Sequence, residues 1–126
     1  RRIKNTGWLK KLKNEKVEVL GRSVFLKGLL ISSFEFQKKK FPKYKKTWSE
    51  WNSINNNNKN SLRLCLNYAM HEKNISKFII GVNNAKELKQ IIKLSKFKLK
   101  QEEKNKINMI KIKSKKILEP FRWDLS

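Results

Sequence analysis

Phe78-Ile79-Ile80-Gly81-Val82-Asn83-Asn84-Ala85-Lys86-Glu87-Leu88-Lys89-Gln90-Ile91 is the stretch on which the fold turns. A short apolar run enters a glycine, two asparagines follow, and a helical pattern begins at once. This is the connection of an α/β protein, and it is one way such proteins present backbone N–H groups to a phosphate. The glycine permits close approach of an anion, and the helix start offers unsatisfied donors at the positive end of its dipole. Taken alone, the same sequence also describes a purely structural strand-to-helix turn.

Working outward, Trp8, Leu9 and Leu12 recur at helical spacing within residues 2 to 15, predicting an amphipathic helix with Trp8 facing a core. Val17-Glu18-Val19-Leu20 alternates and ends at Gly21, as a strand does. Ser23 to Leu30 reads as a structured turn closing on Gly28, and residues 32 to 41 have no clear period. Pro42 is expected to start a second helix with Tyr44, Thr47, Trp48, Trp51 and Ile54 on one face. Asn55 to Asn58 is a low-complexity loop, and Asn60 or Ser61 caps a helix buried through Leu62, Cys65, Leu66, Ala69 and Met70.

The strand at 78 to 80 then leads into a helix over Asn84 to Ser95 with Leu88, Ile91 and Ile92 inward. Residues 96–126 form a Lys-rich extension, partly helical at Ile107 to Ile112, ending in an irregular tail with Trp123. Strands alternating with helices imply an α/β fold with parallel pairing. Two parallel strands leave unpaired edges, so part of this fold is missing, and the isolated chain is expected to be partly molten or aggregation-prone. A start on Arg1 rather than Met points the same way, to a processed or truncated product.

Composition narrows the function classes. The net charge is +22, built from 27 lysines and only 5 arginines, and Lys, Asn and Ile together make 53 of the 126 residues. All three have A- and T-rich codons, so base composition accounts for the excess. A nucleic-acid surface is the alternative, and Arg, the residue suited to bidentate phosphate and guanine contacts, is scarce for it. Trp48 and Trp51 at helical spacing fit a core better than a base-stacking platform. A membrane-surface role for the basic helix at 2 to 15 ranks last, and no apolar stretch is long enough to span a bilayer. Cys65 is the single cysteine, which excludes an internal disulfide and makes the cytoplasm the expected setting. It lies six residues from His71, the only histidine, on a different helix face, so no thiol–imidazole pair is expected and no metal-ligand cluster is present.

Two segments together resemble a known family. Arg22-Ser23-Val24-Phe25-Leu26-Lys27-Gly28-Leu29-Leu30 is similar to the seventh barrel strand and loop of the aldo/keto reductases, often written Y-S-P-L-x-x-G-L-L. Asn60 to Ile91 resembles the seventh helix, eighth strand and last phosphate loop, usually I-P-G-x-x-x-x-x-Q-L-x-E-N. Gly7-Trp8-Leu9 and Arg122-Trp123 also look like one branch of these enzymes. The resemblance implies that residues 1–126 are the C-terminal part of a single TIM (β/α)8 barrel domain. A whole barrel takes about 250 residues, so this one is incomplete, with two parallel strands and surrounding helices.

It further implies a nicotinamide cofactor, NAD or NADP, and a small carbonyl or alcohol substrate in the intact parent. Ser23 and Phe25 match positions lining the pyrophosphate and ribose, and Gly81, Val82 and Asn83 match the loop around the adenosine phosphate. Glu87 stands where Arg or Gln is common near a 2′-phosphate, and a carboxylate there suits the 2′-hydroxyl of NAD. Arg22 replaces the usual aromatic, and Ile91 the usual Asn. The family's Asp, Tyr, Lys and His motifs are absent, so the resemblance names no catalytic residue. A non-catalytic, regulatory parent is the remaining alternative.

Overall fold

The computed structural model of the protein describes residues 6–112 and 114–123. Its elements run α1 (Trp8–Asn14), β1 (Leu20–Gly21), a 3-10 turn (Leu29–Ile31), α2 (Phe34–Lys40), a second 3-10 turn (Pro42–Tyr44) and α3 (Lys45–Ile54). There follow α4 (Ser61–Met70), β2 (Lys77–Phe78), α5 (Ala85–Ser95), α6 (Gln101–Met109), α7 (Lys115–Leu118) and a last 3-10 turn (Pro120–Arg122). The mixed helix and strand order agrees with the α/β expectation.

The two strands pair in parallel, Leu20 with Lys77 and Gly21 with Phe78. They are shorter than the alternating pattern predicted, and displaced by a residue or more from it. Ser76 N–H donates to the Val19 carbonyl (2.9 Å) and Ile79 N–H to that of Gly21 (2.8 Å), extending the contact. Glycine at 21 lets the Phe78 ring lie close: a Cβ there would fall 2.4 Å from Phe78 Cε1 and 3.2 Å from Ile75 Cγ2, so a larger residue would have to push that ring aside. The strand pair is not where apolar side chains are covered: Leu20 in β1 is 51% exposed and Ile79, just beyond β2, 60%.

The core lies among the helices instead. One cluster holds Leu29, Phe41, Trp48, Ile117 and Trp123. The other holds Trp51, Leu64, Cys65, Ile107 and Ile110. Helix α3 serves both, because Trp48, Trp51 and Asn52 fall on one face at i, i+3, i+4 spacing. The Trp51 indole also donates to the Leu30 carbonyl at 2.9 Å, tying α3 to the first 3-10 turn.

Several sequence expectations are corrected. Trp8 is 54% exposed with Lys11 over its ring, and Leu9 is the buried residue of α1. The first residues expected in that helix lie outside the described chain. Residues 34 to 40 are helical although no period was visible, because the position α2 buries is polar. Gln37 is fully buried and donates to the carbonyls of Leu29 (2.9 Å) and Ser32 (3.2 Å), while its own oxygen accepts from Asn52 (2.7 Å). Helix α4 buries Ser61, Leu64, Cys65, Leu66 and Asn67 rather than one stripe, since neighbours pack on more than one side of it, and Met70 is 48% exposed.

The Asn-rich segment is built, not slack. Asn56, Asn57 and Asn58 take left-handed conformations (φ 54, 49 and 74°), which asparagine tolerates better than most residues. Asn58 Nδ2 anchors the turn to the Ile31 carbonyl at 2.8 Å. Helix α6 begins at Gln101, earlier than expected, because polar contacts start it: Glu103 accepts from the Lys100 amide at 3.0 Å and pairs with Arg63 of α4. Ile107, Ile110, Ile117 and Trp123 of the Lys-rich segment enter the two core clusters. The last residues of the expected tail, 124–126, lie outside the described chain.

Candidate functional site

Because β1 and β2 are parallel neighbours, both chains leave the pair at the same edge. Two residues beyond Gly21 lies Ser23, and three beyond Phe78 lies Gly81, so the two segments singled out in the sequence emerge side by side. Ser23 is exposed with a left-handed backbone (φ 60°), the first of four such residues before Leu29, with Leu26, Lys27 and Gly28. Leu26 N–H closes a turn on the Ser23 carbonyl at 2.9 Å. Phe25 is half-buried and packs on the second core cluster, so its ring supports this loop from beneath.

Gly81, Val82 and Asn83 are exposed, and a side chain at Gly81 would meet no atom within 4 Å. Asn84 then caps α5, its side-chain oxygen accepting from the Glu87 amide at 2.9 Å. Glu87 reaches back in return. Its carboxylate accepts from the Asn83 amide (2.8 Å) and from Asn83 Nδ2 (3.1 Å). This is a variant of the reciprocal capping box, displaced one residue outward, and it places a negative charge at the positive end of α5. Among the described residues no side chain accepts from the amides of Ala85 and Lys86 in the same turn.

Helix α5 is steadied from the other side. Asn67 Nδ2 of α4 donates to the Leu94 carbonyl at 3.0 Å. Ile91 and Leu94 are half-buried, whereas Leu88 and Ile92, expected inward, are 46% and 50% exposed. The packing covers one narrow side of the helix and leaves the rest of its apolar face uncovered. A hollow of about 440 Å³ runs between β2, α4 and α5, lined by Leu66, Met70, Phe78, Ile80 and Ile91 among others.

Lys77 on β2 pairs with Glu18 at 2.8 Å, and that hydrogen bond raises the lysine pKa. Cys65 is buried in α4, where desolvation pushes its thiol up to about 12, far from a nucleophile's range. Among the described residues there is no group of three or more metal-ligating side chains and no helix long and apolar enough to cross a membrane.

The family model of the aldo/keto reductases matches residues 1–112, nearly nine-tenths of the chain. The chain belongs to the aldo/keto reductase family. Membership places it with an oxidoreductase family whose members generally use a nicotinamide cofactor, and with barrel-type architecture. No individual characterised protein and no solved structure matches it significantly. The match takes in both strand-end loops and stops before Ile117 and Trp123, which complete the first core cluster.

Within this aldo/keto reductase chain, what sequence reasoning missed was the use made of Glu87. Its carboxylate is engaged with Asn83, a contact signalled by the Asn84–Glu87 spacing of a capping box.

Proposed function

We propose that this chain is the C-terminal part of a (β/α)8 barrel in a nicotinamide-dependent carbonyl or alcohol oxidoreductase, and that it supplies cofactor-holding loops rather than catalytic groups. The observation that carries the reading is the parallel pairing that brings Ser23–Gly28 and Gly81–Glu87 to one edge. Phosphate groups bind at the C-terminal ends of the last strands in such barrels.

Open backbone donors at the start of α5 support phosphate binding, against the Glu87 carboxylate that already takes the Asn83 amide. The amides of Ala85 and Lys86 open α5, a Cβ at Gly81 would meet no atom within 4 Å, and Ser23 is exposed after β1. In this reading Ser23 and Phe25 border the pyrophosphate and ribose, and Gly81, Val82 and Asn83 border the adenosine phosphate. When bound, the nicotinamide would supply or accept hydride. Glu87 would set the choice of cofactor: a carboxylate held on the Asn83 amide repels a 2′-phosphate and leaves a 2′-hydroxyl unopposed, favouring NAD over NADP.

Equilibrium titration of the protein with NAD and NADP, with the Glu87→Gln variant in parallel, tests this. NAD should bind more tightly than NADP, and E87Q should narrow the difference by strengthening NADP. Absence of binding by either dinucleotide at millimolar concentration would defeat the cofactor assignment. A wild-type preference for NADP would defeat the role given to Glu87.

A further inference from the structure

Between residues 38 and 46, six of nine residues are lysine: Lys38, Lys39, Lys40, Lys43, Lys45 and Lys46. The whole chain has 27 in 126, so this run is about three times denser than its own lysine-rich background. The run forms the corner from the end of α2 through the Pro42–Tyr44 turn into α3. Lys39, Lys40, Lys43, Lys45 and Lys46 are exposed. Lys38 is paired, with Glu35 at 2.8 Å. Among the described residues no carboxylate stands at ion-pair distance from the other five; Lys40 lies instead over the Trp123 ring, 5.1 Å from its centroid.

Local structure explains only half of these charges. Lys38, Lys39 and Lys40 occupy the last turn of α2, where the helix dipole favours cations. Lys43, Lys45 and Lys46 sit at the opposite pole, before and within the first turn of α3. That turn has no acidic residue and no side-chain cap, so positive charge there works against the helix. A placement that costs local stability without local compensation is a local conflict of the kind found at functional or strained sites. The corner is also firmly mounted. Phe41 is buried at its centre, the Trp48 indole donates to the Phe41 carbonyl at 3.2 Å, and the Phe41 ring meets Trp123 edge-on at 5.5 Å.

We propose that the Lys38–Lys46 corner binds the phosphate backbone of nucleic acid without regard to sequence. Its charges are ammonium groups only, with no guanidinium fork to read a base edge. Phe41 and Tyr44 within the run are buried or half-buried, and the exposed Phe36 one turn before it, with Lys40 6.0 Å over its ring, is a single ring rather than a platform on which successive bases stack. Phe36 alone does not make the apolar face that an interfacial helix inserts, which favours a nucleic-acid backbone over an anionic membrane. The inference is independent of the cofactor reading, because these residues lie outside both strand-end loops.

The test is the salt dependence of binding to duplex DNA, read by fluorescence anisotropy. The wild-type chain is compared with two variants of equal charge: Lys39, Lys43, Lys45 and Lys46 all changed to Gln, and Lys10, Lys11, Lys13 and Lys16 all changed to Gln. All eight positions are exposed, and far-UV circular dichroism checks that each variant keeps the wild-type fold. The corner variant should lower the slope of log K against log salt by about 3 to 4, at roughly 0.9 per phosphate contact, and the control by less than about 1. An equal fall in both would mean that total charge binds, overturning the assignment. So would failure of the wild type to bind at low salt, a tenfold preference between two unrelated duplexes, or corner-dependent binding to phosphatidylserine vesicles without binding to DNA.

Discussion

Replacing Trp123 with alanine should destabilise the fold by about 3 to 5 kcal/mol, the usual range for a buried tryptophan truncated to alanine. Three contacts set the figure. The side chain is only 8% exposed and closes the first core cluster against Leu29, Phe41, Trp48 and Ile117. Its ring meets Phe41 edge-on at 5.5 Å, an arrangement contributing about 0.5 to 1.5 kcal/mol beyond burial. Its indole N–H donates to the Ile117 carbonyl at 3.3 Å, which adds about 1 kcal/mol. Trp123→Phe keeps a ring and loses that bond, so it should cost less than half as much. Urea unfolding followed by far-UV circular dichroism gives both values without relying on fluorescence from the other tryptophans. A loss below about 1 kcal/mol for W123A would refute the claim that residues beyond the family match complete the core.

Two further outcomes follow from the helix contacts. The Glu103 carboxyl, held below the usual carboxylate range by its hydrogen bond from Arg63, contributes stability that is fully present above the unfolded carboxylate pKa of about 4.3 and is lost as pH falls through the lower folded value. Glu103→Gln should therefore flatten the acid limb of a stability–pH curve and leave its shape above pH 6 unchanged; an unaltered acid limb would remove Glu103 from that role. Cys65, buried and pushed up to about 12, should resist a thiol reagent at pH 8 in the native chain and react at once in denaturant; comparable rates in both states would contradict its burial.

Sequence pattern carried the features that depend on neighbours one helical turn or one strand step away. The face of α3 was legible from Trp48 and Trp51, because an i, i+3 pair of large apolar residues must lie on one side of a helix. The start of α5 was legible from Asn84, whose short side chain suits an N-cap. Helix α2 was not legible, since its buried position is Gln37 and a polar residue adds nothing to a hydrophobic period. The residues proposed to border a cofactor came from motif resemblance. That Ser23 and Gly81 leave one edge together rests on pairing between segments more than fifty residues apart.

What the sequence determined by itself was the alternation of two strands with most of the helices, their parallel sense, the face of α3 and the Asn84 cap of α5. Tertiary structure alone decided which apolar residues are covered. Leu9 is buried and Trp8 is not, Ile117 and Trp123 complete a core, and Ile79 and Leu88 stay exposed. Periodicity says which side chains share a face, but burial depends on what other segment arrives to cover that face. The same holds for charge: a capping spacing could be read from Asn84 and Glu87, while only the folded turn brings the Glu87 carboxylate onto the Asn83 amide.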